Sequence, residues 1–235
     1  MKKIAIVDFD VHHGNGTQEI IECLMGPKAF TVKNDVSPFS IFEVTTKHYK
    51  PWLDFQDGKN VLFSSVHLFD NYELEESSEN NSDLPVKSDF KSIFYPGTGG
   101  ADENTSPYEA NVYPGGILNV PIKPGDASAA NWRKSFTEVF DRLVTFKPDF
   151  IFLSAGFDAH EYDHIHGSED TGINEFDYEW LTENLQRIAN QYCQGRLVSV
   201  LEGGYNIKLG PMSPLMQSIS AHVRTLKNTH GGPLF

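Results

Sequence analysis

Cysteine is scarce: Cys23 and Cys193 are the two in a chain of 235 residues. They form no metal-ligand spacing and no disulfide framework, which fits a reducing, intracellular setting. Basic residues are outnumbered too, 19 Lys and Arg against 32 Asp and Glu, for a formal net charge of −13. Such a chain lacks the clustered positive charge that a nucleic-acid backbone requires, so direct nucleic-acid binding is not expected. The negative charge is compatible with attracting a Lys-rich tail or a polyamine, and equally with nothing beyond solubility. Long apolar runs are also missing. None approaches the ~20 residues of a membrane helix, so no membrane association is expected. The opening MKKIAIV has the basic-then-apolar order of a secretory leader. Asp8 and Asp10 interrupt it at once and no small-residue cleavage site follows, so it reads as a strand.

What is present suffices for a sizeable core: 39% of residues are hydrophobic and 12% aromatic. The length fits one domain or one large piece of a domain. Four short apolar runs, 4–7, 61–66, 150–154 and 197–201, read as buried strands, each followed by Asp, His or Gly. Without alternation they imply a parallel sheet covered on both sides. Helices are predicted at 16–24, 131–146, 177–192 and 212–226 from apolar residues at helical spacing, such as Trp132, Phe136, Val139, Phe140 and Leu143. The fold class is therefore α/β, a doubly wound parallel sheet with helices on both faces. One domain spans 1–227. Residues 71–91 are polar and acidic and read as a surface insertion, or as a partner-docking loop; 228–235 read as a frayed tail.

The chemistry gathers at strand ends. Asp8, Asp10 and His12 lie at i, i+2 and i+4, so they project one way as the first strand ends. Open α/β sheets place their sites there. Three polar groups crowding one strand end are costly unless a cation or partners satisfy them. A lone histidine would more often be structural; two aspartates with a histidine favour a metal. A second strand ends in Gly156-Phe157-Asp158, where Asp158 alone would read as a helix cap. Asp10, His12 and Asp158 together make a three-ligand site with an open position, the catalytic zinc arrangement. A third strand leads into Leu201-Glu202-Gly203-Gly204-Tyr205-Asn206, whose glycines aim a phenol at the strand ends, either as an oxyanion donor or as a packed side chain. The PGTGG run at 96–100 lacks the Lys and helix start of a P-loop, so nucleotide binding is rejected. Phe94 and Tyr95 before it suit a channel wall or ordinary core.

Together these stretches resemble the histone deacetylase family, in the group that includes acetylpolyamine amidohydrolases and, more distantly, arginases. The matching segments are IAIVDFDVHHGNGTQ (4–18), FSSVH (63–67), FYPGTG (94–99), NVPI (119–122) with Gly125, FLSAGFDA (152–159) and LEGGYN (201–206). The Gly-Phe-Asp and Glu-Gly-Gly-Tyr versions are similar to class II enzymes and bacterial relatives. The resemblance implies zinc ligation by Asp10, His12 and Asp158, and Tyr205 as the group that polarises the acetyl carbonyl. It also implies a potassium site from Asp8, Ser65 and Val66 with the backbone of Asp10 and His12. Tyr95, Gly156 and Phe157 would line the acyl-lysine tunnel. The implied reaction is zinc-dependent hydrolysis of the acetyl-lysine amide in histones or other proteins. Its setting would be chromatin regulation and transcription repression in the nucleus, the cytoplasm, or both, with a corepressor complex as a further partner.

The family's general base and acid are a pair of adjacent histidines upstream of the zinc strand, and this sequence opens almost at that strand. The resemblance thus covers the C-terminal part of the catalytic domain, with the N-terminal part missing. His12 is assigned to metal and His13 points to the other face; His160, His164 and His166 are not placed as the dyad. Loss of neighbouring strands is expected to leave residues 4–7 as an unpaired apolar edge. The alternatives are a non-catalytic paralogue that binds zinc or acyl-lysine, and an acetylpolyamine-type amidohydrolase.

Overall fold

A computed structural model describes residues 2–25, 28–37, 40–51, 53–54, 56–70, 94–104, 115–166, 171–208 and 210–228. The 71–91 insertion and the 228–235 tail, beyond residue 228 itself, lie outside the described residues. In chain order the elements are β1 (Ile4–Asp8), α1 (Asn15–Met25), β2 (Lys28–Ser37), β3 (Ser40–His48), α2 (Asp57–Asn60), β4 (Val61–Leu68), β5 (Gly116–Ile122), α3 (Ala129–Phe146), β6 (Phe150–Ala155), α4 (Glu175–Cys193), β7 (Leu197–Leu201) and α5 (Pro214–Lys227). Five strands form a sheet in the order β5-β4-β1-β6-β7, every neighbouring pair parallel. β2 and β3 form a separate antiparallel pair. No described helix is long and apolar enough to cross a membrane.

The helices form where apolar spacing and end chemistry agree. In α3, Trp132, Phe136, Val139, Leu143 and Phe146 recur every three or four residues, and each is at most 3% exposed. Ser128 accepts the Asn131 N–H at its start, and Lys147 closes it at φ 54°. Asn174 and Asp177 cap α4 reciprocally, satisfying N–H groups that its first turn leaves unpaired. The stripes of α3 and α4 pack on Ala5, Val7, Leu62, Leu118, Ile151 and Leu153, which share one sheet face. A fully buried side chain of this size contributes roughly 1.5–3 kcal/mol. On the opposite face α1 brings Ile21 against Phe63 and Ile117.

Both-face coverage stops partway across the sheet. β1 is central, paired with β4 on one side and β6 on the other, so residues 4–7 are not the open edge that was expected. Among the described residues the edge strands are β5 and β7, and β7 is the one with a bare face. Its Val198 and Val200 are 44% and 48% exposed, and Phe152, in register with Val198, is 36% exposed. Among the described residues, Leu197 and Ser199 are partly covered on the α4–α5 side, while Val198 and Val200 are bare on the other. β5 had no counterpart in the sequence reading because Asn119 and Pro121 interrupt it. Proline is tolerated there because β5 is an edge strand in this sheet.

A bare apolar sheet face beside an unpaired strand favours association. The 235-residue chain is expected to self-associate with rising concentration in sedimentation velocity, and replacing Val198 and Val200 by lysine should shift it to monomer. Wild-type chain that stays monomeric contradicts this.

Candidate metal centre and active site

The end of β1 turns on its own carboxylates. Asp8 Oδ1 accepts the Asp10 N–H at 3.0 Å, and Asp10 Oδ1 accepts the His12 N–H at 2.8 Å. Each aspartate so holds the backbone two residues on, a turn that short acidic side chains stabilise. The adjacent strand supplies the third group: Asp158 Oδ1 accepts the Val11 N–H at 2.9 Å. These bonds bring His12 Nδ1 to 2.9 Å from Asp10 Oδ1 and 3.2 Å from Asp158 Oδ2. Donor atoms of Asp10, His12 and Asp158 lie within 4.8 Å of one another, so the structure gathers the three predicted ligands.

The seat is electrostatically unfinished. Asp158 is fully buried, and its Oδ2 has no hydrogen-bond partner of acceptable geometry. Burial pushes its carboxyl up to about 6, helped by the Asp10 charge and opposed by His12. Burial alone would lower His12, but its contacts with Asp10 and Asp158 outweigh it and hold the ring at about 9. Gly203 faces this seat, and a Cβ there would collide with both carboxylates. An orphaned buried oxygen, a mixed oxygen and nitrogen donor set, and a space kept clear by glycine fit a divalent transition metal.

Tyr205 lies on the loop after β7, whose Gly203 abuts Asp10 and Asp158. Asp163 Oδ2 accepts the N–H groups of Tyr205 at 2.7 Å and Asn206 at 3.1 Å, which fixes that loop. The phenol's pKa is raised by partial burial and then by the charges of Asp158 and Asp10, so it stays a hydrogen-bond donor near them. On the other side Phe94 stacks on the His12 ring at 5.4 Å, and Tyr95 meets it edge-on at 5.9 Å. Tyr95 is 71% exposed.

A buried polar relay holds this aromatic wall. Thr98 donates to His13 Nδ1 at 2.8 Å, and His13 Nε2 donates to Gln18 Oε1 at 2.9 Å. Gln18 donates to Glu103 at 2.8 Å, and Glu103 accepts the Gly99 N–H at 2.9 Å. Asn119 donates to Gln18, and His67 to the Gly99 carbonyl at 3.0 Å. Gly99 has φ +93°, and a Cβ there would strike the His13 and His67 rings. Both nitrogens of His13 are thus engaged and burial lowers its pKa, so it is not poised as a base. Gln18 and Glu103 are 85 residues apart in sequence; Gln18 closes a matching segment, but no motif announced Glu103 or the bond between them.

The remaining predicted residues separate. Asp8 is 3% exposed and sits in register with Ser65, whose hydroxyl meets His67 Nδ1 at 2.8 Å. Burial, first, and nearby carboxylates hold Asp8 well above the usual range, and no cationic side chain among the described residues pairs with it. Val66 is buried on β4. Gly156 lies behind Asp10, where a Cβ would collide with it. Phe157, expected in the tunnel, is instead core: it is 2% exposed and packs on Tyr178 at 5.0 Å, His222 at 5.5 Å and Phe9 at 5.6 Å. The reason is parity, since it continues the row of Ile151, Leu153 and Ala155 that faces the helices. His160 and His166 are buried in the loop that follows Asp158, where His166 Nε2 donates to the His160 carbonyl at 3.0 Å.

The chain has relatives. A family model described as the histone deacetylase domain matches residues 1–225. Type-2 histone deacetylase 2 of Dictyostelium discoideum is 33% identical over 224 residues, 95% of this chain and 10% of its own. Histone deacetylase 15 of Arabidopsis thaliana is 30% identical over 208 residues, 88% of this chain and 26% of its own. The crystal structure of the HDA15 HD domain superposes with TM-score 0.59 at 28% identity, over 96% of this chain and 44% of that one. An acetylpolyamine aminohydrolase from Burkholderia pseudomallei shares the fold, with TM-score 0.57 at 21% identity over 96% of this chain and 45% of that one. The chain thus spans less than half the length of the relatives it matches.

Metal binding must displace the His12 proton, so affinity for an added divalent ion should rise with pH, roughly tenfold per unit below the metal-free pKa. In the metal-free protein the sign for stability is the reverse. His12 is raised from 6.5 to about 9, so its stabilisation is full below 6.5 and lost as pH passes through about 9. Calorimetric titration should show about one proton released near neutral pH, and no binding in Asp158→Asn. Affinity independent of pH contradicts the assignment.

Proposed function

Because the chain belongs to the histone deacetylase family, we propose that it carries the metal half of a zinc-dependent lysine deacetylase site acting on acetylated histone tails or other proteins. The observation that carries this reading is the buried Asp158 Oδ2, without a well-formed hydrogen bond and 3.2 Å from His12 Nδ1, with Asp10 beside it and Gly203 of the Tyr205 loop against both carboxylates. Asp10, His12 and Asp158 would hold the zinc, which when bound supplies Lewis-acid polarisation of an amide carbonyl and lowers the pKa of a bound water towards ~7. Tyr205 donates a hydrogen bond to the carbonyl oxygen as negative charge builds on it. Phe94 and Tyr95 flank the alkyl chain of the acylated lysine and exclude water from it. Asp8, Ser65 and Val66, with backbone carbonyls of Asp10 and His12, would hold a potassium ion that offsets the buried Asp8 charge.

Proton transfer needs a base, and none of the histidines described around the seat is poised for it. The reading therefore places the family's pair of histidines on polypeptide outside these 235 residues. The bare face of β6 and β7 supports this, because a parallel sheet is normally covered on both sides. The products would be free lysine and acetate. A chromatin setting, a corepressor complex and a nuclear or cytoplasmic location belong to the same proposal.

The test is turnover of acetyl-lysine peptides and acetylated polyamines by the longest native polypeptide that contains this sequence. Peptide turnover should dominate. Tyr205→Phe should lower kcat by roughly 10²–10³-fold while bound zinc is unchanged. Preference for polyamines would move the substrate class, and absence of turnover with zinc bound would favour a binding protein. Full activity in Tyr205→Phe would contradict the role given to the phenol.

A further inference from the structure

A second recess lies beyond Asp158 in the chain, and the deacetylase reading leaves it unused. It is a cleft of about 410 Å³ lined chiefly by His160, Glu161, Tyr162, Glu175, Phe176 and Met212. His160 is 3% exposed, and its Nδ1 accepts the Tyr162 N–H at 3.1 Å. The neutral ring therefore carries its hydrogen on Nε2. That buried donor has no hydrogen-bond partner, and the nearest carboxylate oxygen, on Glu175, is 3.7 Å away. A donor of this kind calls for an acceptor from a ligand or water. It does not suit a metal: ligation through Nε2 would put the hydrogen on Nδ1, facing the Tyr162 N–H.

The rest of the lining has a different character. Tyr162, Phe176 and Met212 are 62%, 65% and 66% exposed and form apolar flanks. Glu161 and Glu175 add two carboxylates. The N-terminus of α4 opposes them with about half a positive charge, already capped by Asn174 and Asp177, so the negative sign wins. Negative charge, flat apolar flanks and one inward N–H together match one residue type in a peptide. A long basic side chain would lay its stem on Phe176 and Met212 and its cationic head at Glu175 and Glu161. With Glu175 drawn to that head, the residue's backbone carbonyl would reach the His160 Nε2–H, which is sealed from solvent and faces Glu175 at 3.7 Å.

We propose that this cleft binds an arginine or lysine side chain of an extended peptide segment. The cleft adjoins the catalytic loop through the chain itself. Asp163 holds the Tyr205 and Asn206 N–H groups, and the Asn206 side chain donates to the Tyr162 carbonyl. That the segment is the substrate, flanking its acylated lysine, rests on the function proposed above; the cleft's chemistry does not.

Fluorescence polarisation with a labelled, unacetylated Gly-Gly-Arg-Gly-Gly peptide tests it on metal-free and metal-loaded protein. Binding should be saturable, need no metal, and weaken as salt rises from about 50 to about 300 mM. Glu175→Gln should weaken it roughly threefold to fivefold, and Glu161→Gln, at the rim, should do so in the same direction. A peptide with glutamine for arginine should bind worse. Equal affinity for both peptides, unchanged affinity in both variants, or no binding overturns the proposal. Failure of Asp10, His12 and Asp158 to load metal would sink the deacetylase reading and leave this result standing.

Discussion

Everything at this site follows from crowding carboxylates at the carboxyl ends of adjacent parallel strands. β1 delivers Asp8 and Asp10, and β6 delivers Asp158, with His12 as the one ring among them. Three acids this close, two of them buried, are tolerable only if protons or cations take up the charge. Without metal the proton on His12 does part of that work, and the raised pKa values of Asp8 and Asp158 report the remainder. A bound metal ion would resolve the conflict at one step, so the local folding and the proposed chemistry are the same problem here.

The surroundings serve that constraint. Gly203 and Gly156 keep side chains out of the space behind and above Asp10. The relay from Thr98 through His13 and Gln18 to Glu103 pins the loop that brings Phe94 and Tyr95 against His12. Asp163 performs the equivalent task for Tyr205. Fixed walls matter because catalytic groups lose effect when misplaced by even about 1 Å.

Much of this was legible in the sequence, where the physics is local. Period-two spacing put Asp8, Asp10 and His12 at one strand end, and helical spacing placed α3 and α4 within two residues of their observed starts. Phe157 shows the limit of motif reading: it sits beside a ligand in sequence, yet strand parity sends it into the core. The open edge was misplaced because strand order is set by pairings across the chain, not by order along it. Gln18 and Asn119 lay inside matching segments, but their bonds to each other and to Glu103 were not legible for the same reason; these span 101 and 85 residues. β5 was hidden by Pro121, whose missing N–H costs little at an edge.

The central claim is that Asp10, His12 and Asp158 form one metal seat. X-ray absorption spectroscopy of the protein loaded with zinc tests it directly. The account predicts a first shell of one imidazole nitrogen and oxygen donors at about 2.0–2.2 Å, with no sulfur, and loss of that signature in Asp158→Asn. A shell containing sulfur, or two or more imidazoles, would place the metal elsewhere and contradict the account.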